Sequence, residues 1–167
     1  YTQMMRENIP TLRGLAASFG LGYVPGTWIQ SIQVSKGAGS VVNGYESMTG
    51  QINLEYRKPE TDEPKFFLNL YGNSLGRAEG NVHLSKRFNR KVGSLLLLHG
   101  SNVSPKIDYN DDTFLDIPKS TQINVYNRWE TLFSQKVEMQ TGVNVLYENR
   151  IGGQTNYNFE RSVFLQN

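Results

Sequence analysis

The chain has 167 residues, a net charge of +2 and no cysteine, so it has the length of one domain and lacks disulfides and thiolate metal sites. Hydrophobic residues (38%) and charged residues (19%) are both scarce, while 16 Gly, 16 Asn and an aromatic share of 11% argue against a disordered chain. The small net charge gives no basis for nucleic-acid binding, and the longest apolar run, Leu95–Leu98, is too short for a membrane-spanning helix.

The first part of the chain, residues 1–58, contains eight closely spaced glycines, which leave no room for a long helix. Short stretches rich in β-branched residues lie between these glycines, at Trp28–Val34, Ser40–Val42 and Gln51–Tyr56. This pattern predicts a compact domain of short strands and tight turns. A polar stretch bounded by two prolines follows, and we interpret residues 59–64 as a linker.

The hydrophobic period changes to two after the linker, so residues 65–167 are predicted to form β-strands. Along Ala78–Ser85 the even positions are apolar or glycine, and the odd positions are polar. The predicted strands are Phe66–Asn73, Ala78–Ser85, Val92–Asn102, Gln122–Thr131 and Val137–Tyr147. A sixth strand is predicted to begin near Arg161. The run Leu95–Leu98 interrupts the alternation of the third strand.

The strand lengths and the connections are typical of a transmembrane barrel. The segments have roughly 8–12 residues, close to the ~9–11 that a tilted strand needs to cross a bilayer. Phe88–Lys91 and Phe133–Lys136 are short connections, whereas Val103–Lys119 and Asn149–Glu160 are long. Outer-membrane barrels have short turns at one end and long loops at the other, although the short connection Ser74–Arg77 falls on the long-loop side.

A soluble antiparallel β-sandwich shows the same alternation and is the alternative fold. Two observations favour the barrel over the sandwich. Aromatic residues cluster near the predicted strand ends, as the interfacial girdles of a barrel require. In addition, a meander of long strands preceded by a globular N-terminal piece does not close into a sandwich of ordinary size.

Residues 22–59 read G-Y-V-P-G-T-W-I-Q-S-I-Q-V-S-K-G-A-G-S-V-V-N-G-Y-E-S-M-T-G-Q-I-N-L-E-Y-R-K-P. This segment resembles the C-terminal part of the plug domain of TonB-dependent outer-membrane receptors. The matching positions are Ile32, Val34, Lys36, Gly37, Ser40, Gly44, Gly50, Ile52, Asn53, Lys58 and Pro59. The sequence departs from the family pattern at Gln33, where Glu is usual, at Ala38, where Pro is usual, and at Tyr45–Ser47, where small residues are usual.

The resemblance implies an all-β fold, namely part of a transmembrane antiparallel β-barrel preceded by part of an α+β plug domain. Residues 1–58 would be the C-terminal part of the plug, residues 59–64 the plug-to-barrel linker, and residues 65–167 the first barrel strands. The chain would supply about five or six of roughly 22 strands. We therefore expect it to be an internal piece of a larger receptor, because an open sheet of this size has unpaired edges in lipid.

The resemblance also implies a function, namely active transport of a scarce nutrient across the outer membrane of a Gram-negative bacterium. The substrate would be a small molecule of the siderophore, vitamin or metal-complex class. The partners would be the TonB–ExbB–ExbD energy-transducing complex and outer-membrane lipid. The alternatives are a ligand-sensing or docking receptor of the same fold, and a soluble β-sandwich binding module.

An acidic loop after the third barrel strand has the spacing D-x-N-x-D-x-x-x-D. Oxygen ligands at alternating positions are typical of calcium loops. We predict a structural calcium site formed by Asp108, Asn110, Asp112, the backbone carbonyl of Phe114, and Asp116. Two features depart from such loops, since Thr113 replaces the usual glycine and Lys119 replaces the bidentate glutamate. The alternative is a solvated acidic loop.

Four polar residues of the barrel strands are predicted to face the lumen: Glu79, His83, Arg128 and Glu130. We expect the charged residues of the lumen, Glu79, Arg128, Glu130 and also Glu138, to meet the plug charges Lys36, Glu46, Glu55, Arg57 and Lys58. The alternative is that these charges only keep a water-filled lumen soluble. With two histidines and no cysteine, a dedicated transition-metal site is not expected. The sequence also lacks a nucleophile–base motif, a P-loop and a dinucleotide fingerprint, so no catalytic residues are predicted.

Overall fold

The computed structural model describes residues 2–11, 14–39, 47–59, 64–134 and 136–156. The first part of the chain forms a four-stranded sheet, which we call the first sheet. Its strands are β1 (Thr2–Arg6), β2 (Ile9–Pro10), β3 (Ile29–Lys36) and β4 (Gly50–Tyr56), in the spatial order β2-β1-β4-β3. β1 runs parallel to β4, and the other pairs are antiparallel.

Two 3₁₀ helices, Gly14–Tyr23 and Gly26–Trp28, connect β2 to β3. The described residues of this part contain no α-helix, so the helical part of the expected α+β plug is not observed there. The closely spaced glycines account for this, since glycine disfavours a continuous α-helix. The predicted strand Ser40–Val42 lies outside the described residues. No helix of the described part is long and apolar enough to cross a membrane.

The second sheet is an antiparallel meander of five strands. Its strands are β5 (Phe66–Gly72), β6 (Arg77–Arg87), β7 (Val92–Val103), β8 (Lys119–Ser134) and β9 (Val137–Ile151), paired in chain order. All five predicted strands are confirmed; β6, β7, β8 and β9 extend beyond their predicted ends, and β5 ends one residue early. The predicted sixth strand near Arg161 lies outside the described residues.

The polar face of the second sheet is the buried one. This face, which we call the inner face, lies against the first sheet and buries polar side chains of β6, β7 and β8, among them Asn81, His99, Gln122 and Asn124. The opposite, outer face exposes large apolar side chains, namely Phe66, Leu68, Leu70, Leu84, Ile123, Trp129, Met139, Val143, Val145 and Tyr147. This arrangement is the reverse of a water-soluble sheet, whose apolar face is the covered one.

β7 departs from the polar pattern of the inner face, because two of its residues on this face are apolar. Leu95 and Leu97 are fully buried on this face, in register with Arg128 and Tyr126 of β8. They belong to one apolar cluster with Met4, Trp28, Leu54 and Tyr56 of the first part of the chain. The Leu95–Leu98 run therefore marks where the second sheet meets the core of the first.

The connections differ between the two ends of the second sheet. Short turns join β6 to β7 and β8 to β9 at one end, while residues 104–118 form a long loop at the other. The short β5–β6 turn lies at the long-loop end, as predicted. The Asn73 side chain stabilises this turn, since its Oδ1 accepts hydrogen bonds from the backbone amides of Leu75 (3.1 Å) and Arg77 (3.0 Å).

Candidate functional site: the interface between the two sheets

An aromatic cluster forms the centre of the interface between the two sheets. Trp28 precedes β3, Tyr56 ends β4, and Tyr126 projects from the inner face of β8. Tyr56 meets Tyr126 edge-on at 5.2 Å between ring centroids, and Trp28 meets Tyr56 edge-on at 6.0 Å. Edge-to-face pairs at these distances are favourable, so the cluster joins the two sheets through packed rings.

A glycine on β9 makes room for this cluster. A Cβ atom at Gly142 would lie 2.6 Å from the Tyr126 hydroxyl oxygen and 3.0 Å from two ring carbons of Tyr126. Any larger residue would therefore displace the Tyr126 ring. The absence of a side chain at Gly142 thus leaves the space that the Tyr126 ring occupies.

A cation lies over two rings of the cluster. The guanidinium carbon of Arg6 lies 5.5 Å from the ring centroids of both Tyr56 and Tyr126, which is within the range of cation–π attraction. Burial raises the pKa of the Tyr56 hydroxyl above its ordinary value, and the positive charge of Arg6 opposes this increase. The hydroxyl therefore stays protonated and neutral at physiological pH.

Arg128 is a buried cation at the same interface. Its side chain is 2% exposed, and its Nη1 donates hydrogen bonds to Glu7 Oε1 (2.8 Å) and to the backbone carbonyl of Tyr56 (3.4 Å). Its Nη2 donates to Gln140 Oε1 on β9. A buried charge is tolerated only when it is paired and hydrogen-bonded, and Arg128 meets this requirement by binding both sheets at once.

Further polar contacts cross the interface on either side of Arg128. The Asn124 Nδ2 donates to the backbone carbonyl of Tyr23 (2.8 Å), and His83 Nε2 lies 3.3 Å from Thr27 Oγ1. Near the short turns, Arg87 Nη1 donates to the backbone carbonyl of Pro59 (2.8 Å). These contacts are hydrogen bonds with a neutral partner, in contrast to the ion pair of Arg128.

The four predicted lumen-facing residues all lie on the inner face, but they make different contacts. Arg128 and His83 contact the first part of the chain directly, as described above. Glu130 pairs with Arg87 at 3.5 Å within the second sheet. Glu79 accepts hydrogen bonds from Arg77 (2.9 Å) and Asn81 (3.2 Å), also within that sheet.

Two of the five expected plug charges face the second sheet, since the positive charge of Arg57 acts on His83 and that of Lys58 acts on Glu138. The others are placed differently from the prediction. Lys36 is exposed, and Glu55 accepts hydrogen bonds from Ser31 and Gln33 within the first sheet. Glu46 lies outside the described residues. The residue that pairs with Arg128 is Glu7, which sequence reasoning missed. Its charge was the available signal, but Glu7 and Arg128 are 121 positions apart and no spacing relates them.

The residues of the plug-like motif lie on β3, on β4 and between them. Gly37 adopts a φ of 90°, and a Cβ atom at Gly50 would lie 2.5 Å from the Ser35 carbonyl oxygen, so both positions require glycine. Ile32, Val34 and Lys36 lie on the edge strand β3, and Ile52 lies on β4. The Asn53 Nδ2 donates to Asn8 Oδ1 (3.1 Å). Ser40 and Gly44 lie outside the described residues.

The carboxylates of the acidic loop accept hydrogen bonds from backbone amides of the same loop. Asp108 Oδ2 accepts from the amide of Thr113 (3.0 Å), Asp112 Oδ1 from that of Phe114 (2.8 Å), and Asp116 Oδ2 from that of Tyr109 (2.8 Å). Asn110 Nδ2 donates to Asp112 Oδ2 (2.9 Å). Within the described part of the chain, no group of three His, Cys, Asp or Glu side chains is arranged to hold a metal. The calcium site stays a prediction.

A cleft of about 570 Å³ lies between the first sheet and strands β8 and β9. Its walls carry the charged and aromatic groups of the interface, including Arg6, Glu7, Tyr56, Tyr126 and Arg128. Open space therefore separates the two sheets beside Tyr56 and Tyr126.

The fold is similar to that of a solved structure, although no sequence comparison finds a match. No protein-family profile and no curated protein sequence matches the chain. A solved structure of the pyoverdine outer membrane receptor FpvA from Pseudomonas aeruginosa PAO1, bound to pyoverdine, is similar, with a TM-score of 0.62 and 17% sequence identity. The match covers 89% of this chain and 20% of that chain, so the chain spans about a fifth of the receptor's length.

The comparison and the two sheets together establish the fold class. The chain is nearly all β, and its fold is similar to that of one part of the solved receptor. The predicted all-β class is confirmed, with an antiparallel meander of five strands preceded by a smaller sheet, whereas the helical part predicted for the α+β plug is not seen in the described residues. The predicted sandwich alternative does not match, because a sandwich packs the apolar faces of its sheets together.

Proposed function

We propose that the chain is part of a TonB-dependent outer-membrane active transporter. In this proposal the second sheet is the first portion of the barrel wall, and the first sheet is the C-terminal part of the plug inside it. The observation that carries the proposal is the inverted burial of the second sheet, whose polar face is covered and whose apolar face is exposed. Barrel strands in a membrane alternate in this way, since lipid contacts one face and the lumen the other.

The plug-like motif and the fold comparison support the same proposal from independent directions. The motif residues Gly37, Gly50 and Asn53 occupy positions in the first sheet where the backbone or a hydrogen bond requires them. The similar solved structure is an outer membrane receptor with a bound siderophore, pyoverdine. We propose a substrate of the siderophore, vitamin or metal-complex class on this basis.

The contacts at the interface are of a kind that can hold the plug inside the barrel at rest and still allow its release during transport. Its contacts are packed rings, hydrogen bonds with a neutral partner, and the Glu7–Arg128 ion pair. Aromatic pairs and neutral hydrogen bonds contribute about 0.5–1.5 kcal/mol each, and a hydrogen bond to a charged group contributes about 1.5–3 kcal/mol, so the contacts can be broken one after another. The outer membrane lacks ATP, so we propose that the TonB–ExbB–ExbD complex supplies the pulling force.

The test uses the complete receptor that contains this chain, expressed in a Gram-negative strain that lacks its own siderophore receptors. Uptake of radiolabelled ferric siderophores and of cobalamin is measured with and without TonB. We expect one substrate class to accumulate in the TonB-containing strain and to fall to background without TonB. Surface binding without uptake in either strain would contradict transport and support the docking receptor. Recovery of the protein without detergent would contradict the barrel.

A further inference from the structure

The turn between β1 and β2 has an unusual backbone. Its two central residues, Glu7 and Asn8, have φ angles of 53° and 62°, and the flanking residues Arg6 and Ile9 are paired. Two-residue hairpin turns with positive φ at both positions strongly favour Asn-Gly, because other side chains are strained there. Asn8 tolerates this conformation, whereas Glu7 does not favour it. Other contacts must therefore hold the turn.

Contacts within the first sheet hold one side of the turn. The Glu7 amide donates to the Leu54 carbonyl oxygen (3.0 Å), and the Asn8 amide donates to Asn53 Oδ1 (2.9 Å). The Asn53 Nδ2 donates back to Asn8 Oδ1 (3.1 Å). The motif residue Asn53 is thus a side-chain clamp on the turn.

The second sheet holds the other side through Arg128. Glu7 Oε1 accepts from Arg128 Nη1 (2.8 Å) and from the backbone amide of Tyr56 (2.9 Å). Glu7 makes these two contacts in its left-handed conformation. The strained residue of the first sheet is therefore the residue that the buried cation of the second sheet binds.

We propose that Arg128 is a positioning residue that latches the strained Glu7–Asn8 turn, so that the turn relaxes when the first sheet leaves the second. This inference rests on the proposed function, in which the first sheet is a plug that moves. The contact then has two roles. It joins the sheets, and together with the contacts from Leu54 and Asn53 it restricts the turn to one conformation. Loss of Arg128 would therefore increase the mobility of the β1–β2 turn as well as weaken the interface itself.

Hydrogen exchange measured by mass spectrometry on the complete receptor, without substrate or TonB, tests the latch. In Arg128→Gln we expect exchange of the amides of Glu7 and Asn8 to accelerate at least about tenfold, because a charge-assisted hydrogen bond is lost. The matched control is Arg87→Gln, which removes another arginine bridging the interface, at Pro59, and should leave the turn unchanged. Glu7→Gln, which keeps the shape and removes the charge, should accelerate exchange as well.

A second variant tests the strain. Glycine adopts positive φ freely, so Glu7→Gly combined with Arg128→Gln should slow exchange of the turn relative to Arg128→Gln alone. Unchanged exchange in both Arg128→Gln and Glu7→Gln would overturn the proposal. Equal acceleration in Arg87→Gln, or faster exchange on adding Glu7→Gly, would also overturn it. Uptake is not measured here, so failure of the latch and failure of the transport proposal are distinguishable.

Discussion

The two sheets bury the side chains of their strands in different ways. β4, at the centre of the first sheet, is covered on both faces and buries Leu54 and Tyr56 together with Gln51 and Asn53. β8 of the second sheet buries its polar side chains and exposes Ile123 and Trp129. A period of two therefore identifies a strand but does not tell which face is covered. The surroundings of the sheet decide this.

The two tryptophans give the largest expected difference between the sheets. Trp28 is 0% exposed at the centre of the interface, whereas Trp129 is 43% exposed on the outer face and stacks on Phe88 at 5.5 Å. We expect Trp28→Ala to lower the free energy of unfolding of the first sheet by about 3–5 kcal/mol, because it leaves a cavity among packed rings. Denaturant-dependent hydrogen exchange of β4 in the complete receptor measures this loss.

Trp129→Ala is the matched control for this prediction. It removes the same side chain from the outer face and should change the stability of the first sheet by less than about 1 kcal/mol. Equal losses in the two variants would show that the effect of Trp28→Ala is not specific to the interface, and would contradict the comparison.

A charge on the outer face gives the next largest effect. Val143 is 64% exposed on the outer face of β9, and the adjacent Asn144 lies on the inner face. We expect Val143→Lys to destabilise the inserted receptor by about 2–4 kcal/mol, since lysine at the lipid face of a barrel is costly near the membrane centre. The measurement is the amount of heat-modifiable receptor in outer membranes.

Asn144→Lys places the same charge one residue away, on the inner face. Its effect should be clearly smaller than that of Val143→Lys, because the inner face is polar. A larger loss in Asn144→Lys would mean that the assignment of the two faces is reversed.

The acidic loop gives the smallest expected effect on stability, below about 1 kcal/mol, because it is exposed. The calcium hypothesis predicts that millimolar calcium slows proteolysis of residues 104–118, and that Asp112→Ala abolishes this protection. The solvated-loop alternative predicts the same cleavage rate with and without calcium, and no difference between Asp112→Ala and the unmodified protein. Limited proteolysis of the complete receptor distinguishes the two.

Much of the second sheet could be predicted from the sequence, because its strands are long and regular. The alternation of Ala78–Ser85 and of Val137–Tyr147 identified β6 and β9, and turn residues identified the connections between strands. Boundaries were less accurate, since β8 begins three residues before the predicted Gln122 and ends three residues after the predicted Thr131. Backbone pairing continues there although the apolar pattern has ended.

The interface could not be predicted from the sequence in the same way. Glu7 and Arg128 are distant in the chain, and each residue alone is an ordinary charged residue. Leu95 and Leu97 broke the alternation, and only the structure shows that they meet the core of the first sheet. Local patterns determine strands, whereas these contacts depend on how the two sheets are brought together.

Site-directed spin labelling along β9 tests the central claim most directly. The chain has no cysteine, so single cysteines introduced at positions 139–147 of the complete receptor in liposomes are unique within this segment. We predict that accessibility to oxygen alternates with a period of two and is highest at Met139, Val143, Val145 and Tyr147. Accessibility to a water-soluble nickel complex should alternate in the opposite phase. An absent alternation, or highest oxygen accessibility at the even positions, would contradict the account.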